Sequence, residues 1–140
     1  FKLASNVAGL GAASAISLKK LELTIDRKTI FDQVMGTTDP EDVLSQEISV
    51  EGSLELNLED DTYRNYMIAG TYRSAEIKFL ASSSSSLDLV LPRVNFTEFE
   101  PDFKLEEIAK QKINFKGSYD SANGLDIIST AVLINTKTSY

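Results

Sequence analysis

The longest regular signal in the chain is an alternation of apolar and polar positions. Over residues 47–59, Ile48, Val50, Leu54, Leu56 and Leu58 hold one phase, with Gly52 standing among them. Glu47, Ser49, Glu51, Ser53, Glu55, Asn57 and Glu59 hold the other. Period two marks a strand with one face in the core and one in water. The glycine in the apolar phase predicts a bulge or bend part-way along it.

An earlier strand is predicted over 18–26, where Leu21, Leu23 and Ile25 alternate with Glu22 and Thr24. Further strands are predicted around 75–79, 87–91, 113–119 and 125–134, with an extended aromatic run over 94–103. Pro92 should end the fourth strand or place it at an edge. Asn123-Gly124 predicts a hairpin turn. One short helix is predicted from Asp60 or Asp61 to about Ala69, with Tyr63, Tyr66 and Met67 on one side and Gly70 as its left-handed stop.

Residues 27–45 read as a long excursion holding a capped turn, with Asp39 as N-cap and Pro40 at the first helical position. Residues 104–110 read as another helical turn, and the serines of 82–86 as a loop. Residues 1–17 have no clean period and read as an arm or linker before one domain, 18–140. Six strands in hairpin-like succession with a single helix predict a mainly β fold, an antiparallel β-sandwich or partial barrel with one short flanking α-helix.

Composition narrows the chemistry. The chain has no Cys, His or Trp. Thiolate chemistry, imidazole acid–base catalysis and the usual zinc sites are therefore excluded. Net charge is −7, so counterion-release binding to nucleic acid is disfavoured, because the surface repels phosphates. The apolar run 7–18 is too short to span a bilayer.

Carboxylates remain the main functional candidates. Same-face residues four apart in a strand, such as Glu51 and Glu55, sit ~13 Å apart, too far to share a metal or act as an acid–base pair. The acidic step Glu59-Asp60-Asp61 and the group Asp39, Glu41, Asp42 lack calcium-loop spacing and read as helix caps. Lys110 to Lys116 form a sparse basic patch that reads as solvated or paired across a subunit contact. No cofactor, metal or catalytic residue is predicted.

Three segments together carry a family resemblance: SLKKLELTID, MGTTDPEDVL and ISVEGSLELNLEDDTYRNYMIAG, with INFKGSYD and LDIISTAVLI fitting behind them. The alternating strand with its central glycine, stepping through acids into a Tyr-containing helix, resembles the tail tube proteins of long-tailed bacteriophages. The resemblance implies a non-enzymatic subunit of the virion tail, assembling with copies of itself into stacked rings. Those rings have six copies, or three copies of a two-domain chain, around a continuous inner barrel through which DNA passes without specific binding. It also implies tape-measure and tail-terminator or tip proteins as partners, and no membrane.

On that reading Glu47, Ser49, Glu51, Ser53, Glu55, Asn57 and Glu59 line an acidic lumen that repels the passing phosphates. Ile30, Phe31, Val34 and Met35, apolar residues in the excursion, are candidates for contacts between rings or subunits. Three other readings compete. A tube of a contractile injection or type VI secretion system shares the fold. A β-sandwich adhesion or carbohydrate-binding module would use Phe96, Phe99 and Phe103 as a platform. A hydrolase would need two carboxylates about 5–10 Å apart across a cleft.

Overall fold

The computed structural model describes residues 1–32, 35, 42–82, 84–103 and 108–136. Among them, one antiparallel seven-stranded sheet curls around a single core. Its strands are β1 (Lys2–Ala4), β2 (Lys20–Asp32), β3 (Asp42–Asn57), β4 (Arg73–Ser82), β5 (Ser85–Asp102), β6 (Lys110–Gly117) and β7 (Thr130–Ile134). The order is β1-β4-β5-β6-β3-β2, with β7 also paired to β5. The helix α1 (Thr62–Ile68) lies against β5.

β5 belongs to two halves of the sheet. Its first part pairs with β4 from Ser85 to Val94, and its second part pairs with β6 from Val94 to Asp102. A register shift between Phe96 and Glu98 marks a bulge in the second part. Such an extra residue bends a strand and sharpens its twist, which helps a flat sheet become a half-barrel.

The core is the apolar phase of these strands. Val50 and Leu54 of β3, Ile77 of β4, Leu91, Val94 and Phe96 of β5, and Ile113 and Phe115 of β6 are all buried. α1 closes the open side of this core. Tyr63 meets Phe96 edge-on at 5.9 Å between ring centroids, and Tyr66 stacks on it at 6.1 Å. Edge and offset contacts of this kind add about 0.5–1.5 kcal/mol beyond burial.

α1 ends at Gly70, whose φ of 59° is the left-handed geometry expected of it. At its start Asp60, not Asp61, supplies the side-chain hydrogen bond, its Oδ1 accepting from Thr62 N–H at 2.9 Å. The 120–125 turn also forms as expected, with Gly124 at φ 65° and reciprocal Asp120–Leu125 backbone bonds of 2.9 and 3.1 Å.

Several expectations change. Gly52 makes no bulge: it stays in register between Leu23 and Phe115. The Phe115 ring fills the space where a side chain would lie. The bulge of this hairpin sits further out, between Arg27 and Thr29. Residues 27–32 are strand rather than loop, because the β2–β3 ladder continues to the Asp32–Asp42 pair.

Pro92 neither ends a strand nor lies at an edge. β4 skips a position opposite it, and Ser74 Oγ donates to its carbonyl at 2.6 Å. Only 130–134 of the predicted last strand is strand. Ile127 and Ile128, adjacent in sequence, both pack on the core, which strand alternation forbids.

Residues 1–17, read as an arm, lie against the body. β1 pairs with β4, Leu10 is buried, and Phe1, Leu3 and Ile16 pack on the core. Except for Asp42, which opens β3, the turn expected at 38–42 lies outside the described residues. So do residues 104–107 of the other expected turn.

Candidate functional site: the polar face of a four-stranded sheet

β2, β3, β6 and the second half of β5 form a four-stranded sheet with one apolar face and one polar face. Because the strands are in register, the polar phases line up in cross-strand rows. One row runs Lys20, Glu55, Lys112, Glu100. The next runs Glu22, Ser53, Asn114, Glu98, and the third Thr24, Glu51, Lys116, Asn95.

Charges are matched across these rows. Lys116 Nζ lies 3.0 Å from Glu51, Lys110 lies 3.8 Å from Glu55, and Lys112 lies 3.9 Å from Glu100. Lys20 Nζ meets Glu22 at 2.6 Å on the same strand, and Ser53 Oγ donates to Glu22 at 3.3 Å. Asn114 Nδ2 donates to Glu98. The Lys20 hydrogen bond holds the Glu22 carboxyl below its ordinary pKa and raises the lysine in return. Exposed pairs like these contribute ~0–1 kcal/mol of stability; their larger effect is to fix where each charge stands.

The face still carries surplus negative charge. Glu22, Asp26, Glu47, Glu51, Glu55, Glu98, Glu100 and Asp102 stand against Lys20, Lys28, Lys110, Lys112 and Lys116. Among the described residues no cluster of three or more acidic side chains could hold a metal ion. The arrangement is a wet surface of fixed, alternating charges.

The residues singled out from the sequence fall in different places. Glu51, Ser53 and Glu55 sit in the middle of the network. Ser49 and exposed Glu47 lie further out toward the bulge. Asn57 lies at the end of β3, where its own carbonyl accepts from the buried Gln111 at 3.0 Å. Glu59 is beyond the strand, on the step into α1.

The lysines and Asn114 of β6, Lys20 and Glu22 of β2, and Glu98 and Glu100 of β5 were not singled out. Their signal was the same alternation, visible as Lys110, Lys112, Asn114 and Lys116 against Gln111, Ile113, Phe115 and Gly117. The lysines of β6 lie beside carboxylates of their own chain, Glu55, Glu100 and Glu51.

Of the contact candidates, Ile30 is about half exposed on β2 and Met35 is exposed. Phe31 pairs through its backbone with Val43, while Val34 lies outside the described residues. The aromatic platform does not form: Phe96 is buried and Phe99 packs on the core, leaving Phe103 exposed.

Both borders of the four-stranded sheet are open. Among the described residues β2 pairs only with β3, and β5 beyond Val94 pairs only with β6. No helix among the described residues is long and apolar enough to cross a membrane.

Comparison with known proteins gives one sequence-level match and several structural ones. The family described as phage tail tube protein matches residues 1–121. No curated protein sequence matches the chain. A chain in the tail of an empty gene transfer agent particle, computed with C6 symmetry, superposes with a TM-score of 0.58 at 11% identity, covering 84% of this chain and 90% of that one. A chain of the native gene transfer agent virion gives 0.56 at 12% identity, covering 76% and 85%. A chain of the 6-fold symmetrised anti-feeding prophage baseplate gives 0.59 at 9% identity, covering 89% and 85%. At such identities the likeness is one of fold.

Proposed function

The chain belongs to the phage tail tube protein family, a structural constituent of the virion tail, and we propose that its four-stranded sheet is one segment of the wall of a DNA conduit. The observation that carries this reading is the sheet itself: one wholly polar face, one core face and two open edges. β2 of one copy, added antiparallel to the free side of β5 in the next, continues both faces. Leu21 and Leu23 then continue the apolar side beside Phe99, and Lys20 and Glu22 the polar side beside Glu98 and Glu100. Strand addition satisfies the backbone groups that an open edge leaves unpaired.

Six-fold symmetry, as in the empty gene transfer agent tail and the anti-feeding prophage baseplate, gives a consistent size. Roughly twenty-four strands at ~4.8 Å spacing and ~40° tilt close into a barrel with a backbone diameter near ~48 Å. Inward side chains leave about 35–40 Å, enough for a duplex ~20 Å wide. The bore would be lined by Glu51, Ser53 and Glu55 with their lysine partners. The carboxylate surplus repels phosphate, and the paired lysines are already occupied, so DNA passes without a binding site. The subunit needs no catalytic group for this work. The outer β2–β3 hairpin, with Ile30 and Met35, points along the strand direction toward an adjacent ring.

Electron microscopy of the purified protein tests this directly. Rings or tubes with a central bore are the expected particles. Isolated compact monomers at every protein concentration would refute the proposal.

A further inference from the structure

The two ends of β6 carry opposite chemistry. At the Lys110 end, Leu58 N–H donates to the Ala109 carbonyl at 2.9 Å, and the chain leaves β3 through the acidic step Glu59-Asp60-Asp61 into α1. At the Gly117 end, Ser118 N–H donates to the Arg93 carbonyl at 2.9 Å. There Arg93 and Arg73 line one groove of about 450 Å³, with Tyr72, Ser74 and Asn123. The 8 residues of β6 separate the two ends by about 26 Å.

Both guanidinium groups are held in place by stacking. Arg93 Cζ lies 3.6 Å from the Tyr72 ring centroid and Arg73 Cζ 4.2 Å from that of Tyr66. Among the described residues neither has a carboxylate within ion-pair distance, and Arg73 Nε is buried with no acceptor. Asp120 also lines the groove: its oxygens accept from Ala122 N–H at 3.2 Å and Asn123 Nδ2 at 2.7 Å, and its charge acts on Arg93 from beyond ion-pair distance. In a chain of net charge −7, whose lysines mostly face carboxylates, two neighbouring arginines that share one more distant carboxylate leave the groove with surplus positive charge, a surface suited to an anion.

We propose that this groove receives the Glu59–Asp61 step of a second copy stacked end to end on the first. The inference rests on the tube reading above. Both surfaces lie on the α1 side of the sheet, since α1 starts at the acidic step and its Tyr66 carries Arg73. Glu59 is exposed and has no partner among the described residues, while Asp61 pairs loosely with Arg64 at 3.8 Å. The occupant thus presents carboxylates as the groove presents planar cations. Because the two surfaces differ and lie at opposite ends, the contact does not close on itself. It propagates from ring to ring, as a filament requires.

The test uses two charge-reversed forms of the full chain, Arg73→Glu/Arg93→Glu and Glu59→Lys/Asp61→Lys. The second leaves the Asp60 cap of α1 intact. Each form alone should still make rings, with roughly tenfold or greater loss of stacked tubes by sedimentation and electron microscopy at low salt. Mixed together, the two forms present complementary ends again and should regain stacking. Tubes from either form as long as wild type, or mixed intact rings that stay unstacked, would overturn the contact while leaving the ring reading standing. Failure of the wild type to form rings would overturn both.

Discussion

Replacing Gly52 with alanine is the sharpest single test of the packing. Glycine in a strand ordinarily costs about 0.5–1 kcal/mol, so alanine elsewhere in a strand should stabilise. Here the added Cβ would lie 2.5 Å from the Glu22 carbonyl oxygen, 2.5 Å from Phe115 Cζ and 2.8 Å from Phe115 Cε1. Carbon atoms rest at about 3.5–4.0 Å, so the ring must retreat by ~1 Å. Phe115 is only 2% exposed and Glu22 is held in the β2–β3 ladder, so neither moves freely.

Overpacking of this kind costs about 1–3 kcal/mol and outweighs the propensity gain. For a domain of this size a net loss of ~0.5–2.5 kcal/mol lowers the melting temperature by about 2–10 °C. Thermal unfolding of unassembled protein measures it. In a Phe115→Leu background, where the ring is gone, the same alanine should cost less than half as much. A Gly52→Ala protein that melts at or above the wild-type temperature would refute the account.

Two further outcomes follow from the same structure. Ser74 is 1% exposed and its Oγ donates to the Pro92 carbonyl at 2.6 Å, so Ser74→Ala should destabilise by about 1–2 kcal/mol in urea unfolding, with an unchanged slope. The Asp60 carboxyl is held below its ordinary value of 3.8, chiefly by the Thr62 N–H. Its contribution is therefore complete above that value and lost as pH falls through the lower folded-state pKa. Asp60→Asn should lower stability at neutral pH and make little difference below the folded-state pKa, so that the acid limb of a stability–pH profile flattens; an unchanged limb would count against the cap.

The elements legible in the sequence were those whose two faces see different solvents. β3 alternates because Val50, Leu54 and Leu56 are buried while Glu51 and Ser53 are wet. The ends of α1 and the 120–125 turn were legible because Gly70 and Gly124 adopt left-handed backbone that other residues avoid. The outer part of β2, from Arg27 on, was not, because Arg27 to Ile30 are all exposed and no apolar period runs through them. β1 was missed because its three residues gain strand geometry only from long-range pairing with β4. The lysine partners were visible as an alternation, but which strand lies beside β3 is a fact of topology that local pattern does not contain.

The void above Gly52 also decides how the strands are counted off against one another. Alternation penalises a slip of one residue, which would turn Glu51 inward, yet it is blind to a slip of two, after which every face is still correct. Such a slip would bring Val50 or Leu54 beneath the Phe115 ring, where even a methyl group does not fit. A single missing side chain thereby selects one alignment from a set that hydrophobicity alone leaves degenerate, and with it the height at which each charge stands along the wall.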